Sequence, residues 1–379
     1  MDTPVTRTST KSHGPRRHIV LIGAGHAHVE VLRSFRLRPD PSVRLTLVTP
    51  GRDTSYSGML PGYVAGHYSR ADIHIRVDRL AGFEGCAAVF QRAVELEANA
   101  CRVGMADGSS ICGDVISIDV GARAAMTAPA ENYALIIPAK PMDDFERSWA
   151  KIEPRLHADE DISFAIVGGG GAGVELALAI RYRLGRLRTG TRHAARIVLL
   201  ERSAEILQGF SAQARKRLIR ILFANSIDIR TDTDGRDGDA LGHKFSVLIM
   251  AGGVRPVGWL SGSGLATDEA GYIAVNRHLQ STSHPAVFAA GDAAGMIETP
   301  RPKSGVMAVR QGPILAQNLR RVAHGLVLKP FSPQQEWLNL ISTGEQYAVA
   351  SRGRWSVEGH WVWRWKDWID RRFIRRFEF

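Results

Sequence analysis

The stretch VGGGGAGVE at 167–175 has the composition of a phosphate-binding turn. Gly168, Gly170 and Gly173 fill the three places of a G-x-G-x-x-G pattern directly after the apolar run SFAIV. The first glycine permits a tight turn, the second lets backbone approach a pyrophosphate, and the third allows close packing of helix on strand. A helix opening there turns unpaired N–H groups and a partial positive charge toward the phosphates. The next apolar run, RIVLLER, carries Glu201 at its acidic end. That is further along than the ~20 residues usual for such an acid, because the basic stretch RYRLGRLRTGTRHAAR lengthens the crossover. A carboxylate there accepts both ribose hydroxyls of NADH and repels the 2′-phosphate of NADPH. Arg202 beside it points the other way, and a solvated strand-end carboxylate is the bland alternative.

An imperfect copy, LIGAGHAHVEVL, stands at 21–32. Gly23 and Gly25 hold the first two places, but His28 takes the third, where glycine or alanine is usual. The following run RLTLVTP reaches Thr49 rather than an acid, so the ribose contact falls to a hydroxyl or a backbone group.

Both turns need a strand before and a helix behind them, and the chain supplies the set twice. HIVLIGAGHAHVEVLRSF (18–35) is echoed by SFAIVGGGGAGVELALAI (163–180), each followed by another apolar strand. That is a β-α-β unit in duplicate. Between the copies, residues 100–121 predict a hairpin turning at Asp107-Gly108 and an apolar strand ending at Gly121. A matching run, FSVLIMAGGVRP (245–256), follows the second copy. HPAVFAAGDAAG (284–295) is a buried strand closing on a glycine–aspartate turn. GVMAVRQGPILAQNLRRVAHG then has helical periodicity and a C-cap at Gly325. From about 331 the sequence is rich in Trp and Arg, strand-like first and helical at the end.

A chain of 379 residues implies two or three domains. The net charge of +11 suggests an anionic partner, whether nucleic acid, a lipid surface or phosphate-bearing cofactors, or else scattered solvated arginines. No nucleic-acid module accompanies the charge, so no nucleic-acid partner is expected. Cys86, Cys101 and Cys112 form no C-x-x-C pair and no metal-ligand cluster, so no metal site is assigned and a reduced intracellular protein is expected. The polar, basic residues 1–17 lack the apolar core of a signal peptide. No apolar stretch approaches the length of a membrane span.

The two turns together with VFAAGDAAG resemble the two-dinucleotide flavoproteins of the pyridine nucleotide-disulfide oxidoreductase superfamily. The resemblance implies FAD on the first fold and NAD(P)H on the second, with Asp292 beside Gly291 holding the ribityl chain of the flavin. ISIDVG and IMAGGVRP sit where that superfamily has its crossover strands, which brings Gly121 and Gly253 to the cofactors. Asp119-Val120 departs from the common alanine-threonine there. More closely, GAGHAHV, TSYSGMLPGYVAGHY, AKPMDDF, GVMAVRQGP, LISTG and WKDWIDRRFIRRF resemble a branch related to type II NADH dehydrogenases. Some members of that branch are fused to selenophosphate synthase, and a histidine in the third place is normal there.

The implied fold is α/β, with two Rossmann-like domains, the second inserted in the first, plus a small C-terminal region. The expected division is a disordered basic leader at 1–17, an FAD-binding domain from 18–150 and 265–330, an NAD(H)-binding domain at 151–264, and a strand and amphipathic-helix region at 331–379. TSYSGMLP lacks the cysteine pair of the disulfide reductases, which disfavours disulfide and sulfide chemistry. What remains is hydride transfer from NADH, less favourably NADPH, to FAD and onward to a small acceptor such as a quinone. Gly58 would let this loop approach the flavin, with Tyr56 or Ser57 facing the ring. Glu175 matches a glutamate that borders the nicotinamide, and Lys140 either steadies the reduced flavin or is a surface lysine. His26 and His28 are placed as donors to the pyrophosphate or the flavin. Gln311 matches one of the glutamines next to the quinone in type II enzymes, while Val306 and Arg310 replace the others. Glu175, Lys140 and Gln311 are therefore the expected catalytic set.

The tail places Trp361, Trp365, Trp368, Phe373 and Phe377 at helical spacing among Arg364, Lys366, Arg371, Arg372, Arg375 and Arg376. Such a helix lies in a lipid interface, packs on the FAD domain, or forms the seam of a homodimer. The expected location is the cytoplasm, with peripheral contact at the inner face of the cell membrane through 355–379. Two alternatives stay open: a soluble NAD(P)H-dependent reductase linked to selenium or sulfur metabolism, and a flavin-binding sensor without turnover.

Overall fold

β1 (Arg17–Ile22) runs into the first glycine turn and α1 (His26–Leu37) leaves it, in a computed structural model that describes residues 16–125, 133–157, 161–187, 195–234 and 245–379. β2 (Val43–Val48) returns parallel to β1, in register from Arg17↔Val43 to Ile22↔Val48. β3 (Cys86–Val89) and β4 (Val115–Ile118) then extend the sheet on either side. Ile19 to Ile22 are all buried, as parallel strands covered on both faces require. Between β3 and β4, Arg102–Met105 pairs with Ser110–Cys112 across the expected turn, where Gly108 adopts a φ of +84°.

The second sheet comprises β5 (Tyr133–Pro138), β6 (Ser163–Val167), β7 (Arg196–Leu200), β8 (Asp228–Arg230) and β9 (Phe245–Met250). Its order is β5-β9-β6-β7-β8, parallel throughout, with helices α2 (Met142–Ile152), α3 (Gly171–Leu187) and α4 (Ala212–Ala224) on its connections. The chain comes back through β10 (Val287–Ala289), which pairs with β4 and completes the first sheet as β10-β4-β1-β2-β3. Two short strands, Arg123–Ala124 and Val254–Arg255, pair antiparallel where the chain leaves and re-enters.

The boundary expected at 150/151 falls too late. β5 pairs with β9 from Tyr133↔Phe245 to Pro138↔Met250, so β5 and α2 belong to the second layer. The return is early as well: Leu260 already packs in the first core, before the expected re-entry at 265. YALIIP is a short central-type strand with no turn signal of its own, and only its pairing reveals where it belongs. Residues 1–15 of the leader lie outside the described residues.

α5 (Gly305–Ala323) packs beside α1 and stops at His324, with Gly325 at a φ of +66° immediately after. The C-terminal region is a three-stranded antiparallel sheet, β11 (Asn339–Ser342), β12 (Ala348–Arg352) and β13 (Trp355–Gly359), followed by α6 (His360–Arg375). It fastens the two domains together. Ile341 and Val349 enter the second core, whereas Phe373, Ile374 and Phe377 enter the first.

Candidate functional site

At the first turn Gly23 has a φ of +87°, and a Cβ there would stand 2.4 Å from the carbonyl oxygen of Asp119. Gly25 donates its N–H to that same carbonyl at 3.1 Å, so the end of β4 closes directly over the turn. Thr49 follows β2 beside it and is buried. The His28 side chain turns into the protein. Its Nδ1 lies 2.6 Å from the carbonyl oxygen of Gly23 and its Nε2 lies 2.9 Å from Ser117 Oγ, with the side chain fully buried. A carbonyl only accepts, so Nδ1 carries the proton and Nε2 accepts from the Ser117 hydroxyl. Burial holds the ring pKa down at about 4, keeping it neutral. In the second turn a Cβ at Gly173 would stand 1.9 Å from the carbonyl oxygen of Gly168. At the first turn, His28 fills this third place and hydrogen-bonds the equivalent carbonyl instead.

His26, not His28, presents the open polar atom. It begins α1, its ring meets Tyr56 edge-on at 5.4 Å, and its Nε2 is buried without a hydrogen-bond partner. Burial lowers its pKa to about 4.

At the second turn Gly168 has a φ of +110°, and a Cβ would meet Gly252 at 2.4 Å. Gly170 differs: no atom lies within 4 Å of the place its Cβ would take, so its backbone faces open space at the mouth of α3. Glu201 directly follows β7 and points into this turn. Its carboxylate accepts from the Gly169 N–H at 2.7 Å and the Ser203 N–H at 2.9 Å.

Gly291 opens the third motif with a φ of +62°, and Gly121 and Gly253 take φ values of +68° and +66° at the two crossovers. Asp292 is ion-paired with Lys140, which stands at the end of the β5–α2 connection. Lys140 is thus no free surface lysine. Gln311 is buried on α5 beside a small cavity that Gly291, Met296 and Met307 also line; its Oε1 accepts from the Gly291 N–H at 2.7 Å, and its Nε2 approaches Met296 Sδ at 3.7 Å. Both ends of the amide are engaged in holding the aspartate turn.

The C-terminal region supplies groups the sequence reading overlooked. Glu175 on α3 is half-buried, and its Oε1 accepts from the backbone N–H and hydroxyl of Ser342 at 2.9 and 3.0 Å. Burial raises its pKa, and Lys366 opposes that rise. Lys366 is buried, donating to the carbonyl oxygen of Gly58 and to Asp370 Oδ2, both at 2.7 Å. Its pKa is raised: the carboxylates of Asp370 and Glu175 outweigh the burial that acts to lower it. Tyr56 hydrogen-bonds Asp370, and burial pushes its phenol far above the ordinary range. A sequence signal existed. Lys366, Asp370, Phe373 and Phe377 are spaced four, three and four apart, which puts the ion pair on the same helix stripe as the buried aromatics.

Of the three placements open to residues 355–379, packing on the first domain accounts for one stripe of α6. Phe373 and Phe377 are core residues, Lys366 is internal, and Arg371 and Arg376 pair with Asp367 and Glu30. Trp361 and Trp368 remain about half exposed, Trp365 stacks on Trp361 at 6.4 Å, and Arg372 lies over Trp368.

The residues present fit two dinucleotides. An orphaned imidazole nitrogen at His26 stands at the first turn, and an open backbone cradle at Gly170 stands at the second. No helix of the described residues is long and apolar enough to cross a membrane.

Comparison with known proteins accords with this geometry. The model of a family described as pyridine nucleotide-disulphide oxidoreductase matches residues 17–312. A probable NADH dehydrogenase of Dictyostelium discoideum is 25% identical over 248 residues, which is 60% of this chain and 54% of that relative. The chain thus spans about half the length of this curated relative. Among solved structures, the sulfide:quinone oxidoreductase of Aquifex aeolicus superposes with a TM-score of 0.77 at 17% identity, covering 95% of this chain and 91% of that one. The NDH2 of Plasmodium falciparum in complex with NADH gives 0.75 at 14% identity, covering 95% and 98%.

Proposed function

Because the chain belongs to the pyridine nucleotide-disulphide oxidoreductase family, we propose that it oxidises NADH through bound FAD and passes the electrons to a small, quinone-like acceptor. One observation carries the reading. Glu175 from the second glycine motif and Tyr56 and Gly58 from the first domain converge on a single buried pair, Lys366 and Asp370. Bound FAD would supply the hydride-accepting and electron-donating chemistry, and the protein would position it.

The chain's own residues have distinct tasks in this scheme. The open backbone at Gly170 and the first N–H groups of α3 hold the NADH diphosphate, and Glu201 takes its ribose. Asp292 orients the ribityl chain, while Lys140 pairs with Asp292 and holds its ammonium where negative charge develops on reduction. Glu175, its pKa raised by burial, borders the nicotinamide and is held there by the Ser342 N–H and hydroxyl. His26 Nε2 gains its missing partner from the flavin nucleotide. The loop 54–61 holds no cysteine, so electrons leave by the flavin and not through a disulfide.

The outward face of α6, with Trp361, Trp365 and Trp368 beside Arg364 and Arg372, suits peripheral contact with an anionic membrane. The burial of Gln311 favours a second reading, in which the acceptor is water-soluble and not a membrane quinone. An anaerobic titration of FAD-reconstituted protein with NADH and NADPH, followed by a panel of quinones, tests the reaction. Absence of flavin absorbance after reconstitution, or of bleaching by NADH, overturns it. Liposome flotation of the intact chain against a W361S/W365S/W368S variant tests the membrane. No flotation by either supports the soluble acceptor, and equal flotation of the two removes these tryptophans from the contact.

A further inference from the structure

The two dinucleotide turns differ at one position that neither glycine pattern includes. In the second domain the residue after β9 is Ala251, whose N–H donates to the carbonyl oxygen of Val167 at 2.9 Å. The equivalent residue after β4 is Asp119, whose N–H donates to the carbonyl oxygen of Ile22 at the same 2.9 Å. Its carboxylate is buried inside the first turn. Oδ2 accepts from the N–H groups of Ala27 and His28 at 2.8 and 3.1 Å, two of the donors that open α1. A Cβ at Gly25 would stand 2.3 Å from Oδ1, and one at Gly291 would stand 2.5 Å from it. The acid is thus wedged between the glycines of two separate cofactor motifs.

Among the described residues, the charge that acts on it through space is Asp292, itself paired with Lys140. The neighbouring rings of His26 and His28 are neutral. With no cation facing it, burial raises the Asp119 pKa to about 7 despite the two backbone bonds.

Resting on the reading that the first domain takes FAD, we propose that Asp119 makes FAD binding proton-linked: the neutral acid shares the opening of α1 with the diphosphate, and the ionised carboxylate opposes it. The sign follows from linkage. A dianionic diphosphate beside Asp119 raises its proton affinity further, so the complex keeps a proton that the free chain loses as pH rises through about 7. The FAD dissociation constant then climbs above that pH by up to about tenfold per pH unit. The second site, with Ala251, has no such term.

The test is FAD binding to the full chain by flavin fluorescence and calorimetry between pH 6 and 8.5. Wild type is expected to weaken roughly tenfold or more from pH 6.5 to 8.5. Asp119→Asn, which still accepts both N–H bonds, should bind with the wild type's low-pH affinity at every pH. Calorimetry of wild type in two buffers of different ionisation enthalpy should count about three-quarters of a proton taken up per FAD at pH 7.5. This last measurement needs no variant and so survives a misfolded one; Asp119→Ala, copying Ala251, is the second substitution. No proton uptake, or a pH slope that persists in Asp119→Asn, overturns the inference about Asp119 alone. A wild-type chain that takes no FAD at any pH overturns the functional reading as well.

Discussion

Replacing His28 with alanine should destabilise the FAD-free chain and leave the cofactor without a lost contact. The imidazole is fully buried and satisfies the carbonyl oxygen of Gly23 and the hydroxyl of Ser117. Removing it strands two buried partners, at about 1–3 kcal/mol each, and opens a cavity in a class of core truncation that costs about 2–5 kcal/mol. These terms overlap, so a loss of about 3–5 kcal/mol at pH 7 is expected. A second signature separates this from a generic core defect. The folded ring has its pKa depressed to about 4, against 6.5 in the unfolded chain. The unfolded chain therefore binds the proton first, and the stability present above pH 6.5 is lost as pH falls toward 4. Between pH 7 and 5 that amounts to about 2 kcal/mol. His28→Ala lacks this component, so its deficit should be about 2 kcal/mol smaller at pH 5 than at pH 7. His26 titrates alike in both proteins and cancels. Urea denaturation at the two pH values, followed by circular dichroism, measures it. A deficit below about 1 kcal/mol, or one that does not change with pH, would refute the assignment. So would a tenfold loss of FAD affinity at unchanged stability.

The two glycines of the second turn should part company. Gly170→Ala meets no atom in the protein, so melting should be unchanged while NADH binding weakens at least tenfold; Gly173→Ala collides with the Gly168 carbonyl and should lower the melting temperature by several degrees. Glu201→Gln keeps its acceptor oxygen for the Gly169 N–H but loses the charge that repels a 2′-phosphate. Its NADH-over-NADPH preference, from half-saturating concentrations for flavin bleaching, should fall about tenfold, and an unchanged ratio would remove Glu201 from the ribose site. Lys366→Met leaves Asp370 buried without its cation and should cost about 3–5 kcal/mol. The double variant Lys366→Met/Asp370→Leu should recover most of that loss in thermal melts, and failure to recover would mean that Lys366 contributes by packing alone.

The backbone of the candidate site was legible because its signals are local. A β-branched run, a glycine turn and a helix opening lie within about twenty consecutive residues, and Gly23, Gly168 and Gly291 do adopt the positive φ their turns require. Gly325 and Asp107-Gly108 were readable for the same reason. The misplaced domain boundary is of another kind. YALIIP carries no periodic or turn cue, and its allegiance is decided by Phe245 and its neighbours, more than a hundred residues away.

Side-chain roles divide along the same line. The sequence alone determined which backbone stretches can cradle a diphosphate, since a missing Cβ is a property of one residue and its immediate neighbours. It also determined that a carboxylate directly follows β7, and that Trp and Arg crowd the tail. Only the tertiary structure decided what each polar side chain does, because a buried donor takes whichever partner the fold brings within about 3 Å. Ser117 comes 89 positions along the chain to claim His28. Gly291 claims Gln311, and Gly58 draws Lys366 inward from a helix that otherwise reads as basic surface. Asp119, which the sequence marked only as a departure from alanine-threonine, becomes the acid inside the first cradle for the same physical reason: its carboxylate takes two N–H groups at the start of α1.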